Sequence, residues 1–195
     1  MAESTTGWTL WRRKWGWYHR DLFPWRRVAL HRHFAKAGAF ARMPLHGEPL
    51  ELLRQGRLEL GIGVVLEPLV WLTGGDSGRI SLGDGALINI GVLIAAVDRV
   101  EIGANTMIAN GCVVTDANHR FDDPMVPLTH QGFTSKGPTI IGNDCWLGAN
   151  VVVTSGVTVG ERCVIGANSV VTSDLPAYSV AAGSPAKVIG AVPQT

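Results

Sequence analysis

The sequence is poor in the features that mark a membrane protein, a secreted protein or a metal site. None of its 195 residues belongs to an apolar run of the roughly 18 residues that a membrane span requires. The N-terminal segment lacks the apolar stretch of a signal peptide, so we expect the protein to be cytoplasmic. Three cysteines leave at least one unpaired, and there is no CxxC motif and no set of Cys and His at ligand spacing. We therefore expect no metal.

An aliphatic residue recurs at every sixth position through the C-terminal two-thirds of the chain. Extra residues enter only after the third member of a triplet, as expected if each insertion leaves the same corner of a three-sided coil. This spacing predicts a parallel β-helix of hexapeptide repeats. A β-sandwich, which needs turns about every 8–12 residues, fits it poorly. The triplets are Leu60, Leu66, Leu72; Leu82, Ile88, Ile94; Ile102, Ile108, Val114; Ile141, Leu147, Val153; and Val159, Ile165, Val171.

A second inward position precedes each of these aliphatic residues by two, because strand side chains alternate between faces. None of the fifteen residues there is charged, and most are small or β-branched. The glycine that often follows the aliphatic residue suits a sharp bend between faces. We therefore predict an all-β fold of about five coils. The second set is Leu58, Val64, Val70, Ile80, Ala86, Val92, Val100, Thr106, Cys112, Thr139, Cys145, Val151, Val157, Cys163 and Ser169.

Two of the cysteines fall on this inner register. Cys145 and Cys163 lie 18 residues apart, so they should stack on neighbouring coils about 4.8 Å apart. That proximity would permit a disulfide. For a cytoplasmic chain we instead expect two small apolar residues that fill the core.

The N-terminal segment differs in composition from the repeats. Residues 1–42 contain nine Lys and Arg against two acidic residues, a net charge of +7, whereas the remainder carries −6. Five of the seven tryptophans also lie there. We divide the chain into a basic, Trp-rich helical leader over residues 1–55 and a β-helix over residues 56–195.

The leader has two interpretations. Pro24 suits the first turn of a helix, and the helix that follows should cover the open edge of the first coil. The alternative is peripheral contact of residues 1–42 with anionic lipid. Nucleic acid is not expected, because no base-reading module accompanies the basic residues.

The largest insertion, loop 115–138, is where we expect the chemistry. Val114 and Ile141 are 21 residues further apart than the regular spacing of six. Long loops on rigid scaffolds are commonly functional. The β-helix part has only two histidines, His119 and His130. His119 comes directly off the corner, so the coil should hold its backbone in place, whereas His130 lies deep in the loop.

Residues 82–190 resemble the hexapeptide-repeat O-acetyltransferases, the group of galactoside, maltose and colanic-acid-type sugar acetyltransferases. Three stretches carry the resemblance: Thr-Asp-Ala-Asn-His at 115–119, Thr-Ile-Ile-Gly-Asn-Asp-Cys-Trp-Leu-Gly-Ala at 139–149, and Ala-Ala-Gly-Ser-Pro-Ala-Lys-Val-Ile at 181–189. The resemblance implies a left-handed β-helix, acetyl-CoA as the donor, and a homotrimer with active sites at subunit boundaries. Before about residue 55 the chain departs from the maltose and galactoside pattern, which weakens the case for small free sugars as acceptors.

The resemblance also implies roles for individual residues. His119 matches the catalytic histidine, which takes the proton of an acceptor hydroxyl; imidazole titrates close enough to neutrality for this. The implied donor-binding residues are Trp146, Gly148, Ala149, Ala167, Thr172, Ser173 and Lys187, with Lys187 near the CoA phosphates. The implied acceptor-binding residues are Asn89, for which the local alignment could instead select Gly91, and Asp116, which could help to orient His119.

Three classes of function compete. We expect an acetyl-CoA-dependent O-acetyltransferase that acts on a sugar, a glycan precursor or another hydroxylated metabolite, with N-acetylation of an amino sugar as the nearest alternative. A carbonic anhydrase of the same fold would need three histidine ligands, which His119 and His130 cannot supply. A non-catalytic binding subunit would have no reason to keep His119, Trp146 and the Gly-Ser-Pro-Ala-Lys stretch together. The sequence does not name the acceptor.

Overall fold

The computed structural model describes residues 24–194, and in it the aliphatic repeat forms a parallel β-helix. The expectations for residues 1–23 lie outside the described part. Helix α1 (Pro24–Lys36) is followed by β1 (Phe40–Ala41), β2 (His46–Gly47) and helix α2 (Pro49–Arg54). The segment that we assigned to a helical leader therefore also contains two strands, which pair in parallel with the first complete coil.

Five complete coils follow, each of three short strands. The strands are β3 (Leu58–Leu60), β4 (Val65–Leu66), β5 (Trp71–Thr73); β6 (Arg79–Leu82), β7 (Leu87–Ile88), β8 (Leu93–Ala95); β9 (Arg99–Ile102), β10 (Met107–Ile108), β11 (Val113–Thr115); then, after the hairpin β12 (Ala117–His119) and β13 (Phe133–Ser135), β14 (Thr139–Ile141), β15 (Trp146–Leu147), β16 (Val152–Val153); and β17 (Thr158–Val159), β18 (Val164–Ile165), β19 (Val170–Val171). Strand β20 (Ser179–Gly183) begins a sixth coil, and β21 (Ala186–Ala191) folds back on it antiparallel.

The strands stack into three sheets, which form the faces of a triangular prism. Face A is the sheet β1-β4-β7-β10-β15-β18-β20-β21, face B is β2-β5-β8-β11-β16-β19, and face C is β3-β6-β9-β14-β17. Strands from successive coils pair in parallel on every face, for example Ile88 with Ile108 and Ile108 with Leu147. Each coil thus satisfies the backbone groups of its neighbours.

The two predicted inward registers form the core. All fifteen residues of the second register are buried, and so are fourteen of the fifteen hexad residues, with Leu60 partly buried. Burial of one such aliphatic side chain contributes about 1.5–3 kcal/mol. Helix α1 adds Leu30 and Phe34 to the same core, so it covers apolar residues at the N-terminal end.

The corners show why glycine and asparagine recur there. A Cβ at Gly103 would lie 2.4 Å from the carbonyl carbon of Gly142 on the next coil, which leaves no room for a side chain. Asn150 and Asn168 turn the chain at φ of 58° and 60°, a left-handed conformation that asparagine tolerates better than most residues. Their amides also bond across coils, at 3.2 Å.

The three cysteines are free and buried, as expected for residues that fill the core. Each thiol lies within hydrogen-bond distance of a backbone carbonyl, such as Gly160 for Cys145 at 3.1 Å. Across residues 24–194, no helix has the length and apolar character needed to cross a membrane.

Burial raises the pKa of the Cys145 thiol from 9.0 to about 11. Since the unfolded thiol loses its proton first, the stability that this group contributes below pH 9 is lost as the pH rises towards 11. We expect the thermal midpoint to fall above about pH 9, and the fall to be smaller in Cys145→Val, which keeps an apolar residue of similar size. Calorimetry of the wild type and of Cys145→Val across this pH range measures the fall of the thermal midpoint in each protein. Identical pH profiles for the two proteins would show that the Cys145 thiol is not the cause of the loss of stability at high pH.

Candidate active site

The loop at the corner between faces B and C projects His119 on a short hairpin. Strands β12 and β13 pair antiparallel, with His119 opposite Phe133. The two rings lie 4.4 Å apart between centroids, tilted by 39°. The imidazole is exposed, while the phenyl ring restricts its rotation on one side. A short 3-10 helix, Leu128–His130, closes the far end of the loop.

A cavity of about 440 Å³ opens beside His119. It is lined by both hairpin strands and by the residues directly after each of them, including Phe121, Ser135 and Lys136. Arg120 at its rim forms a two-pronged hydrogen bond with Asp122, at 2.8 and 3.1 Å, and this bond lowers the pKa of the Asp122 carboxyl. His130 does not line the cavity. The structure therefore singles out His119 of the two loop histidines.

The Asp116 carboxylate faces the protein interior, whereas the resemblance implied that Asp116 binds the acceptor. The residue is fully buried. One carboxylate oxygen accepts the N–H of Val97 at 2.7 Å, and the other accepts the N–H groups of Asp98 and Arg99 at 2.8 and 2.6 Å. Its acceptor capacity is used within the protein, so Asp116 is part of the scaffold beneath the hairpin. It makes no contact with His119 that would orient the imidazole directly.

Ser155 is a residue of this region that sequence reasoning missed. Its hydroxyl donates to the backbone carbonyl of Asp116 and accepts the backbone N–H of Lys136 at 2.9 Å. Because Val114 pairs with Val153, Ser155 occupies the position of Asp116 one coil later. The sequence therefore held a signal for Ser155: two polar residues, Asp116 and Ser155, occupy the same column of the stack beside the longest insertion.

The residues matched to donor binding lie mostly at another edge of the prism. The donor candidates Gly148, Ala149 and Ala167 all follow a face A strand, so they stack along the corner between faces A and B, and the acceptor candidate Asn89 lies at the same corner. A Cβ at Gly148 would lie 2.7 Å from the backbone nitrogen of Ala167. At Ala149 and Ala167 this corner presents only methyl groups as side chains, which leaves room for close approach of an extended chain such as pantetheine.

The remaining candidates lie on the face A sheet and at the corner between faces B and C. Trp146 points outward from face A and is 50% exposed, and Lys187 is exposed on β21, opposite Ala182. Thr172 and Ser173 are exposed at the corner between faces B and C, two coils beyond the base of the hairpin. One protomer thus places its candidate base and most of its candidate donor residues at different edges. Within residues 24–194 there is no cluster of three or more His, Cys, Asp or Glu that could hold a metal ion.

The family model for the hexapeptide repeat of succinyl-transferase matches residues 138–173. The putative colanic acid biosynthesis acetyltransferase WcaF of Escherichia coli is 34% identical over 139 residues, which cover 71% of each chain. The chain belongs to the hexapeptide-repeat acetyltransferase family. The galactoside O-acetyltransferase of E. coli is 33% identical over 154 residues, which cover 74% of this chain and 71% of that enzyme. A probable acetyltransferase of Mycobacterium tuberculosis is 33% identical over 112 residues, but the chain spans only 37% of its length.

Solved structures show the same fold. AntD, an N-acyltransferase from Bacillus cereus crystallised with dTDP and 3-hydroxybutyryl-CoA, superposes with a TM-score of 0.63 at 21% identity, over 78% of this chain and 77% of AntD. PerB from Caulobacter crescentus, crystallised with CoA and GDP-perosamine, gives a TM-score of 0.51 at 29% identity, over 69% of this chain and 52% of PerB. Both relatives of the fold were thus crystallised with a coenzyme A species.

Proposed function

We propose that this protein transfers an acetyl group from acetyl-CoA to a hydroxyl of a sugar or glycan precursor. The observation that carries the proposal is the exposed imidazole of His119, held on a hairpin beside a cavity of about 440 Å³. The family relatives named as sugar-related acetyltransferases support a carbohydrate acceptor. Acetyl-CoA enters as a co-substrate.

The chemistry requires a base close to the acceptor. An alcohol is a weak nucleophile at neutral pH, and imidazole accepts a proton in that range. The hydroxyl proton passes to His119 as the acceptor oxygen bonds to the acetyl carbon. The bond from that carbon to the CoA sulfur breaks, and the proton held by His119 neutralises the departing thiolate. Phe133 and the cavity wall fix the direction from which the acceptor reaches the imidazole.

N-acetylation of an amino sugar is the second candidate, and the fold similarity to the N-acyltransferase AntD favours it. The product distinguishes the two, because hydroxylamine cleaves an acetyl ester and leaves an acetamide intact. A panel of glycans and nucleotide-linked amino sugars, assayed with acetyl-CoA and with longer acyl-CoAs for thiol release, would identify acceptor and donor together.

His119→Ala should lower turnover by about 10²–10⁴-fold, the usual contribution of a positioned base. The side chain is exposed, so the variant should keep the thermal midpoint and CoA affinity of the wild type. The ascending limb of the pH profile of kcat/KM should disappear if it reports the imidazole. His130→Ala is the matched control and should retain most activity. Near-normal turnover in folded His119→Ala would disprove the proposed base.

Lys187→Ala should weaken binding of CoA more than binding of dephospho-CoA or pantetheine. The exposed ammonium on β21 would lose its attraction for the phosphates, whereas the corner at Ala149 and Ala167 would still accommodate the pantetheine arm. Isothermal titration with the three ligands measures the difference. Lys36→Ala, which removes an exposed lysine from α1, is the control and should change none of the affinities. Equal weakening for all three ligands would contradict a phosphate role for Lys187.

We propose a homotrimer in which neighbouring copies complete one active site. The outward residues of faces A and B are mostly apolar, with His46, Thr73 and Thr115 as polar members of face B, whereas those of face C include Glu59, Ser81 and Glu101. Two apolar faces on one prism can both be buried when copies pack head to tail around a threefold axis. On face A the outward residues are Phe40, Val65, Leu87, Met107, Trp146, Val164 and Val180; on face B they include Trp71, Leu93, Val113, Val152 and Val170.

Light scattering should give three times the mass of the chain for the wild type. Met107→Glu, which puts a charge in the middle of face A, should dissociate the trimer and lower activity with it, because an unpaired charge is costly to bury. Ser81→Glu, the matched change on face C, should stay trimeric and active. A wild-type monomer at micromolar concentration would contradict both the trimer and the shared site.

Two expectations about location stay predictions. One is cytoplasmic residence. The other is peripheral membrane contact through the basic N-terminal segment, for which α1 offers an outward stripe of Trp25, Val28, Arg32 and Lys36 without an acidic residue. Leu30 and Phe34 on the opposite side of α1 are buried in the core, so α1 covers the coil whether or not it also meets lipid.

A further inference from the structure

We propose that Asp116 and Ser155 are positioning residues that hold the hairpin carrying His119 in place. The inference rests on the proposed role of His119 as the base. Neither residue touches the imidazole. Together they fix the base of the hairpin to the coil before it and to the coil after it, through polar contacts that are buried or partly buried.

Asp116 ties the hairpin to the preceding coil. After Thr115 the chain leaves the stack, so the corner at residues 97–99 has no parallel strand beneath it to accept its N–H groups. The carboxylate of Asp116 takes this place and accepts three of them, at 2.6 to 2.8 Å. Three hydrogen bonds to two oxygens define the direction in which the chain leaves Asp116. His119 is only three residues away, about 10 Å of extended chain.

Ser155 ties both strands of the hairpin to the following coil. Asp116 directly precedes β12 and Lys136 directly follows β13, so these two residues form the base of the hairpin. The Ser155 hydroxyl donates to the carbonyl of the first and accepts the N–H of the second. The residue is 5% exposed, and water therefore competes poorly for either bond.

Thr139 reinforces the same junction. Its hydroxyl lies 3.0 Å from the carbonyl oxygen of Thr115 and 3.2 Å from that of Thr154, and it also accepts the N–H of Gly156. The two ends of the loop therefore share one polar network. Small displacements of a reacting group, of the order of 1 Å, can reduce catalysis by about 10²-fold. A hairpin that rocks at its base would displace His119 by such an amount.

The test compares Ser155→Ala with Thr106→Val. Thr106 is a buried hydroxyl with the same pair of bonds, donating to Gly142 at 2.7 Å and accepting from Cys145 at 3.1 Å, at a corner away from the hairpin. Loss of either hydroxyl should lower the thermal midpoint by a similar amount, about 2–4 °C. Only Ser155→Ala should lower kcat, by about 10- to 100-fold, with the KM for acetyl-CoA unchanged.

Hydrogen exchange supplies a readout that does not depend on activity. In Ser155→Ala the amides of residues 117–135 should exchange faster than in the wild type, and in Thr106→Val they should not. The same faster exchange is expected when Ser155→Ala is made in a His119→Ala background. The contacts at the base of the hairpin are therefore tested even if the proposed base is wrong. In the wild type the amides of Asp98 and Lys136 should be protected like those of the coils, which tests the junction if a variant fails to fold.

Two results would overturn the proposal. One is an unchanged kcat and unchanged hairpin exchange in folded Ser155→Ala. The other is rapid exchange of the Asp98 and Lys136 amides in the wild type. If instead His119→Ala turns over normally while Ser155→Ala loosens the hairpin, the junction is right and the assignment of the base is wrong.

Discussion

The parallel stacking of one coil on the next is the constraint on which the rest of this structure depends. Each strand of the five complete coils has only two to four residues, too few to persist alone, and its backbone groups are satisfied by the neighbouring coils. The stacking also requires that inward residues be small enough or branched enough to share a narrow core. It leaves the corners as the only places where residues can be added without a break in the register.

That constraint explains where the candidate chemistry lies. The loop that carries His119 leaves one corner, and its departure removes backbone partners from residues 97–99 of the coil before it. The carboxylate of Asp116 replaces those partners, and the Ser155 hydroxyl bonds both ends of the hairpin to the coil after it. The polar residues at this corner are therefore a consequence of the insertion, and the insertion is what brings an imidazole to the surface of an otherwise aliphatic prism.

The aliphatic residue at every sixth position made most of the fold predictable from the sequence, because each coil repeats one steric requirement at this spacing. Strands β1 and β2 were not predicted. Their inward residues, Ala41 and Gly47, are also six apart and pair with Leu66 and Leu72, but they are too small to continue an aliphatic pattern. Gly47 is small because a Cβ there would lie 2.2 Å from the carbonyl oxygen of Leu72.

The candidate site was only partly predictable for a related reason. Motif resemblance identified His119, and the structure gives it an exposed position beside a cavity. Resemblance could not show that the Asp116 carboxylate faces inward, because the direction of that side chain depends on N–H groups 17 to 19 residues earlier in the chain. Ser155 was missed because its polar partner in the column, Asp116, lies on the other side of the longest insertion, so the two align only once the register of Val114 with Val153 is known.

The two ends of the prism differ from its middle in a way that bears on solubility. The first and last coils of a bare stack would expose edges that a further parallel coil could extend, so such a stack would be a template for end-to-end growth. At the C-terminal end β21 reverses direction on β20, and an antiparallel strand breaks the register that another parallel coil would need. At the N-terminal end α1 covers the core beside β1. These terminal elements oppose the addition of further parallel coils, and thus oppose growth of the stack into a cross-β fibre.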